Sequence, residues 1–160
     1  MKIAVQTTPY RSDSIQFEEI TVPITLKDGA KLPEYKTPNA SGMDIAAYEG
    51  GVIPPGGRKL IPTGLFLEIP VGYEAQVRPR SGLALKHGIG FLNAPGTIDS
   101  DYRGELQVLL YNSSDEPFHY SKGDRIAQIV FAKVARANLI PSVSLSDTER
   151  GSGGFGSTGK

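Results

Sequence analysis

Apolar and small polar residues alternate with a period of two along most of the chain, in short runs broken by glycine and proline. Ile20-Thr21-Val22-Pro23-Ile24-Thr25-Leu26 reads as a half-buried strand. Pro23 has no N–H to give a ladder, which predicts an edge position or a bulge. Lys27-Asp28-Gly29 turns the chain, and a buried strand follows through Ile45-Ala46-Ala47, with Asp44 at its start. Val52-Ile53 ends a strand at the Pro54-Pro55-Gly56-Gly57 loop. Lys59–Ile61, Leu65–Ile69, Tyr73–Val77, Leu106–Tyr111 and Phe118–Tyr120 are further strands. Short strands arriving every ten residues or so predict an all-β sandwich or barrel. Ile126–Ala132 is apolar on both alternating faces, as a strand buried on both sides is. In a small β-domain that implies packing against another subunit as well as the core. Gln128 interrupts one of these faces, and a buried glutamine needs a backbone group or a ligand as partner.

The period breaks at Arg78-Pro79-Arg80-Ser81-Gly82-Leu83-Ala84-Leu85-Lys86-His87-Gly88. Ser81 suits a helix N-cap, Leu83 to Lys86 are helix formers, and Gly88 is a stop, which predicts one short helix. Open amides at Ser81 and Gly82 beside Arg80 make either an anion-binding corner or an ordinary capped turn. His87 reads as a dipole partner or packing residue. Residues 1–20 alternate only weakly and form an N-terminal extension of unclear role. The barrel is expected over 21–141. Residues 142–160 lose periodicity and have the glycine- and serine-rich composition of a flexible segment.

At 160 residues the chain has the length of one domain with a sizeable core. Its 17 basic and 17 acidic side chains balance, so no net field recruits nucleic acid or an anionic membrane, and any polyanion must be held by local groups. No cysteine is present, which excludes disulfides and thiolate metal sites. Met1–Tyr10 lacks the apolar run of a signal peptide, and no run approaches the ~18 residues of a membrane span. The chain therefore reads as soluble and intracellular, in the cytoplasm or an equivalent compartment.

Candidate chemistry concentrates in Asn93-Ala94-Pro95-Gly96-Thr97-Ile98-Asp99-Ser100-Asp101-Tyr102-Arg103-Gly104-Glu105. Pro95-Gly96 is a turn signal, but carboxylates, an arginine and a tyrosine within one loop exceed what a reversal of direction needs. In the tail, Arg150 and Phe155 stand out from Gly151-Ser152-Gly153-Gly154 and Gly156-Ser157-Thr158-Gly159-Lys160. An aromatic on a glycine hinge beside an arginine suits a lid that stacks a flat ring and neutralises phosphate. The terminal Gly-Lys lacks the glycine spacing and following helix of a P-loop.

Five segments, in order, resemble the motifs of the homotrimeric dUTPases, the deoxyuridine triphosphate nucleotidohydrolases. They are Ala40–Ile45, Arg78–Ala84, Asn93–Glu105, Gly123–Gln128 and Arg150–Gly159, and the resemblance runs from about Val22 to the C-terminus. It implies a jelly-roll β-barrel, a trimer with active sites shared between subunits, and Mg²⁺-assisted hydrolysis of dUTP to dUMP and pyrophosphate. That reaction limits uracil in DNA and supplies dUMP for thymidylate synthesis. By resemblance, Asp99 activates the attacking water and meets the 3′-hydroxyl, while Tyr102 lies against the deoxyribose and excludes a 2′-hydroxyl. Asn93 and the backbone of Gly96, Thr97 and Ile98 read uracil. Arg80, Ser81, Gly82 and Gln128 hold phosphates or the water, and Asp44 meets the metal through water. Arg150 takes the γ-phosphate, Phe155 stacks on uracil, and Gly156, Ser157 and Thr158 close over the phosphates. Other readings are a dCTP deaminase-like enzyme, which would need a catalytic glutamate, a nucleotide-gated regulatory or binding protein, and a structural capsid-like jelly roll.

Overall fold

The computed structural model describes residues 18–154. Eleven strands and one helix follow in order: β1 Ile24–Leu26, β2 Glu34–Tyr35, β3 Met43–Ala46, β4 Gly51–Ile53, β5 Arg58–Leu67, β6 Tyr73–Arg78, α1 Ser81–His87, β7 Ile89–Gly90, β8 Gly96–Ile98, β9 Leu106–Asn112, β10 Phe118–Tyr120 and β11 Arg125–Lys133. One sheet runs β1-β5-β9-β7, a second β2-β3-β11-β6-β8, and β10 pairs with β4. All pairings are antiparallel. The all-β, jelly-roll-like architecture with one short helix is as expected. Its core takes one side-chain set from each sheet, among them Ile45, Ala75, Val77 and Ile129 from the five-stranded sheet and Ile61, Leu65, Leu106, Val108 and Leu110 from the four-stranded one.

Three local departures from the sequence pattern bear on the site. Lys59–Ile61 and Leu65–Ile69 are parts of one strand, β5, whose register against β9 shifts between Pro62 and Leu65. The shift is a bulge: it absorbs Pro62 and places Gly64 at φ 73°, where a side chain would also strike Ala30 and Tyr48. Second, part of the central loop, Gly96–Ile98, is itself a strand paired with β6. Third, the N-cap of α1 is Arg80, with no side-chain cap, and Ser81 is the first helical residue. The Arg80 carbonyl accepts from the Leu83 and Ala84 N–H groups, while its side chain turns towards Asp44. Gly88 ends the helix at φ 65°. Among the described residues no helix is long and apolar enough to cross a membrane.

Candidate active site

Strand register places Asp44, Gln128 and Arg78 in one row across β3, β11 and β6. Successive side chains of a strand point to opposite faces, so Asp44 and Gln128 share a face opposite to that of Ile45 and Ile129. Asp44 is 6% exposed at its side chain and sits between two guanidinium groups. Arg125 Nη1 donates to Oδ2 at 2.8 Å, and Arg80 Nε lies 3.2 Å from Oδ1. That second contact is an ion pair without hydrogen-bond alignment, and Oδ1 is otherwise unpartnered. Arg80 Nη1 also donates to the Arg125 carbonyl at 2.9 Å. Two cations against one buried carboxylate leave the corner positive, which suits a polyanion. Removing one member of a buried ion pair costs about 3–5 kcal/mol; half-exposure of Arg125 reduces the expected cost of Asp44→Asn to about 1–3 kcal/mol. A lowered urea midpoint at unchanged m-value is the expected result. An unchanged midpoint would show that the clamp adds no stability.

The central loop forms a second corner. Asp99 and Tyr102 line a cleft of about 260 Å³ with Leu60, Thr97, Ile98, Glu105 and Gln107. Asp99 is exposed, and its carbonyl accepts from the Tyr102 N–H at 3.2 Å, closing a tight turn. Arg103 Nη1 donates to the Ser100 carbonyl at 2.7 Å and fixes the loop from within. Tyr102 is 44% exposed, and its hydroxyl donates to the Glu105 carbonyl at 3.0 Å. Asn93 lies beside β8: a Cβ on Gly96 would stand 3.4 Å from Asn93 Nδ2 and 3.5 Å from Val77 Cβ. Gly96 is buried and Thr97 exposed. Glu105 accepts from the Gly64 N–H at 2.8 Å through Oε1 and from Lys27 Nζ at 2.7 Å through Oε2. Burial opposes its ionisation, but the hydrogen bonds from Lys27 and Gly64 and the lysine charge outweigh that, holding the carboxyl below its ordinary value. This stabilisation is present above the unfolded carboxylate range and is lost as pH falls through the lowered folded value.

Within one chain the structure thus gathers Asp44, Arg80 and Gln128 in one place and Asn93, Gly96, Thr97, Ile98, Asp99 and Tyr102 in another. The Asp99 cleft shares no lining residue with the larger cleft beside Asp44, which Lys31, Lys36 and Arg125 also line. Ser81 and Gly82 occupy the first turn of α1, whose amides have no partner within the helix. Arg150 is exposed, with Nε donating to the Gly153 carbonyl at 2.8 Å. Phe155, Gly156, Ser157 and Thr158 lie outside the described residues.

A family model for dUTPase matches residues 28–159. The chain belongs to the dUTPase family. It is 60% identical over 135 residues to the deoxyuridine 5′-triphosphate nucleotidohydrolase of Nautilia profundicola, spanning 84% of this chain and 95% of that protein. It is likewise 60% identical over 136 residues to the enzyme of that name from Beijerinckia indica, spanning 82% and 85%. Among solved structures it is similar to the dUTPase of Staphylococcus bacteriophage 80alpha with dUPNHPP, at TM-score 0.82 and 27% identity, covering 88% of this chain and 99% of the phage one. That phage protein is described as controlling transfer of virulence genes by a G protein-like mechanism. A variant dUTPase from phage phi11 of S. aureus, described with a structural Mg(II) ion, shares the fold at TM-score 0.72 and 23% identity, covering 78% and 98%.

Members of the dUTPase family use a divalent metal, and the residues here constrain how one is held. Among the described residues no three His, Cys, Asp or Glu side chains converge as a metal site. Asp44, whose two carboxylate oxygens face Arg80 and Arg125, and Glu34, paired with it across β2 and β3, are the acids lining the positive corner. That arrangement fits a hydrated ion arriving with a polyphosphate better than one held by the protein alone. Two residues escaped assignment from sequence although they stand inside the motifs. Arg125 stands within Gly123–Gln128 and Glu105 closes Asn93–Glu105, yet no neighbour in sequence offers either a partner. The partners that give them meaning, Asp44 and Gly64, lie 81 and 41 residues away.

Proposed function

We propose that the chain hydrolyses dUTP to dUMP and pyrophosphate, with Asp99 orienting and deprotonating the water that attacks the α-phosphorus. As a member of the dUTPase family the chain is a hydrolase of nucleotide metabolism, a dUTP diphosphatase. The observation that carries the mechanistic reading is the cleft in which exposed Asp99 stands beside Tyr102 and the open strand β8. A carboxylate held on a tight turn is a suitable general base. Tyr102 forms a wall against the deoxyribose, and Asn93 with the β8 backbone reads the uracil edge. A narrow pocket there excludes the thymine methyl, and cytosine presents its donor and acceptor the wrong way round.

The phosphates belong at the positive corner, with Arg80, the Ser81 and Gly82 amides and Gln128. Arg150 takes the γ-phosphate, and Phe155, Gly156, Ser157 and Thr158 close the site. Asp44 would meet Mg²⁺ through water, and the bound ion would supply positive charge to the phosphate oxygens. A homotrimer completes this site. Its support is the separation of the Asp99 cleft from the Asp44 corner within one chain, together with apolar side chains exposed at Leu139, Ile140, Val143 and Leu145 beyond β11. In this reading the reaction limits uracil in DNA and feeds thymidylate synthesis inside the cell, without stable nucleic-acid or membrane binding.

The test is pyrophosphate release from dUTP, dCTP, dTTP and UTP side by side, with only dUTP expected to turn over well. Equal turnover of dCTP would exclude the uracil-reading site. Tyr102→Ala is expected to lower the dUTP-to-UTP ratio of specificity constants by about 10-fold or more, since a filled sugar wall becomes open space. An unchanged ratio would remove Tyr102 from sugar discrimination.

A further inference from the structure

We propose that Glu105 is a positioning residue for sugar selection, holding Tyr102 in place by locking the end of its loop into the β5 bulge. The inference rests on the reading of Tyr102 as the deoxyribose wall. A wall excludes a single hydroxyl only if it does not yield, yet Tyr102 is nearly half exposed and stands on a surface loop. Two contacts restrain its ring. Its hydroxyl donates to the Glu105 carbonyl at 3.0 Å, and the ring packs so closely on Gly104 that a Cβ there would collide with it. Both restraints are made by the backbone of residues 104–105, so the wall is only as firm as that backbone.

The Glu105 side chain supplies the firmness. At 16% exposure it reaches across to the neighbouring strand β5 at the Gly64 N–H and to Lys27 Nζ at the end of β1. The bulge leaves the Gly64 N–H outside the β5–β9 ladder, directed at Glu105 Oε1. Thr63, also in the bulge, donates its hydroxyl to the Leu106 carbonyl at 2.6 Å, fixing the next residue along. Lys27 is steadied in turn by the rings of Tyr48 and Phe66, with Nζ 5.6 and 5.8 Å from their centroids. Bulges beside active sites commonly re-aim a neighbouring group; here the bulge fixes a loop on the neighbouring strand. Neither Glu105 nor Lys27 has to touch the nucleotide for this.

The experiment measures kcat/KM for dUTP and for UTP in the parent, Glu105→Ala, Glu105→Gln, Tyr102→Ala and the Glu105→Ala/Tyr102→Ala pair. Misplacing a positioned group by an ångström is enough for large losses, so Glu105→Ala is expected to lower the dUTP-to-UTP ratio by about 10-fold. Glutamine keeps an acceptor for the Gly64 N–H, so Glu105→Gln is expected to recover the ratio to within about 3-fold of the parent, as the conservative change should. Because the effect passes through the Tyr102 side chain, the double variant is expected to lose no more discrimination than Tyr102→Ala alone. A Glu105→Ala ratio equal to the parent's, or additive losses in the double variant, would overturn the proposal. If Tyr102→Ala lowers the ratio and Glu105→Ala does not, the lock fails while the sugar wall stands; if neither does, both fail. Should Glu105→Ala not fold, Glu105→Leu, which keeps bulk but offers no acceptor to the Gly64 N–H or to Lys27, takes its place, and a ratio unchanged from the parent's there overturns the proposal.

Discussion

Asp99→Asn is expected to bind a non-hydrolysable dUTP analogue as the parent does and to turn over dUTP at least 10²-fold more slowly, roughly the contribution of one positioned general base. Asparagine keeps the size and the hydrogen-bonding oxygen of aspartate but cannot accept the proton of the attacking water. Asp99 stands in open solvent at the end of β8, with its backbone carbonyl tied to Tyr102, so the substitution removes basicity without disturbing a buried network. Paired measurements of analogue affinity and single-turnover rate separate the two effects. A variant with near-normal turnover would take Asp99 out of the base role, and one that loses binding and turnover together would point to substrate positioning instead.

A chain ending at Glu149 is expected to fold with the same cooperativity as the full chain and to lose about 10-fold or more in turnover, as an enzyme deprived of a closing element does. Among the described residues the last strand ends at Lys133, and residues 134–149 are exposed and carry no helix or strand, so the core keeps its contacts. Ordering a glycine-rich segment over a nucleotide costs about 1–2 kcal/mol per residue. Arg150 and Phe155 are the groups able to offset that, through a charge-assisted phosphate bond and ring stacking. Restoring residues 150–160 with Phe155 changed to Ala is expected to give an intermediate rate. Equal rates for truncated and full-length chains at saturating dUTP would show that the segment is a spacer.

The strands were legible where periodicity had room to show itself. β9 and β11 follow the pattern of the sequence within about a residue at each end, and β10 matches it, because each alternates or stays apolar through its length. β2, β7 and β8 have only two or three residues, too few for a period, and are strands because neighbours pair with them. β5 appeared broken because Pro62 and Gly64 are punctuation in a sequence, yet a bulge absorbs both without ending the strand. The site divides along the same line. Asp99, Tyr102, Arg80 and Asp44 stand in motifs dense enough to be noticed, whereas Arg125 and Glu105 act on groups far away in the chain. Ser81 looked like a cap by type, but the Arg80 carbonyl starts the helix one residue earlier. Local chemistry cannot show which of two adjacent residues a distant carboxylate will draw aside.

The place of β11 in its sheet also governs the order in which the molecule can be made. This strand is the last among the described residues, yet it lies in the middle of the five-stranded sheet, pairing with β3 on one side and β6 on the other. Gln128 meets Asp44 across one border and Arg78 across the other. A nascent polypeptide emerging from the ribosome therefore carries β3 and β6 with one edge each unpaired until Arg125–Lys133 has itself emerged. Open edges of that kind invite pairing with other chains, and pairings this distant in sequence close slowly. The Arg80–Asp44–Arg125 clamp forms only when Arg125 arrives, so the charged groups of the positive corner also fasten β11 into place.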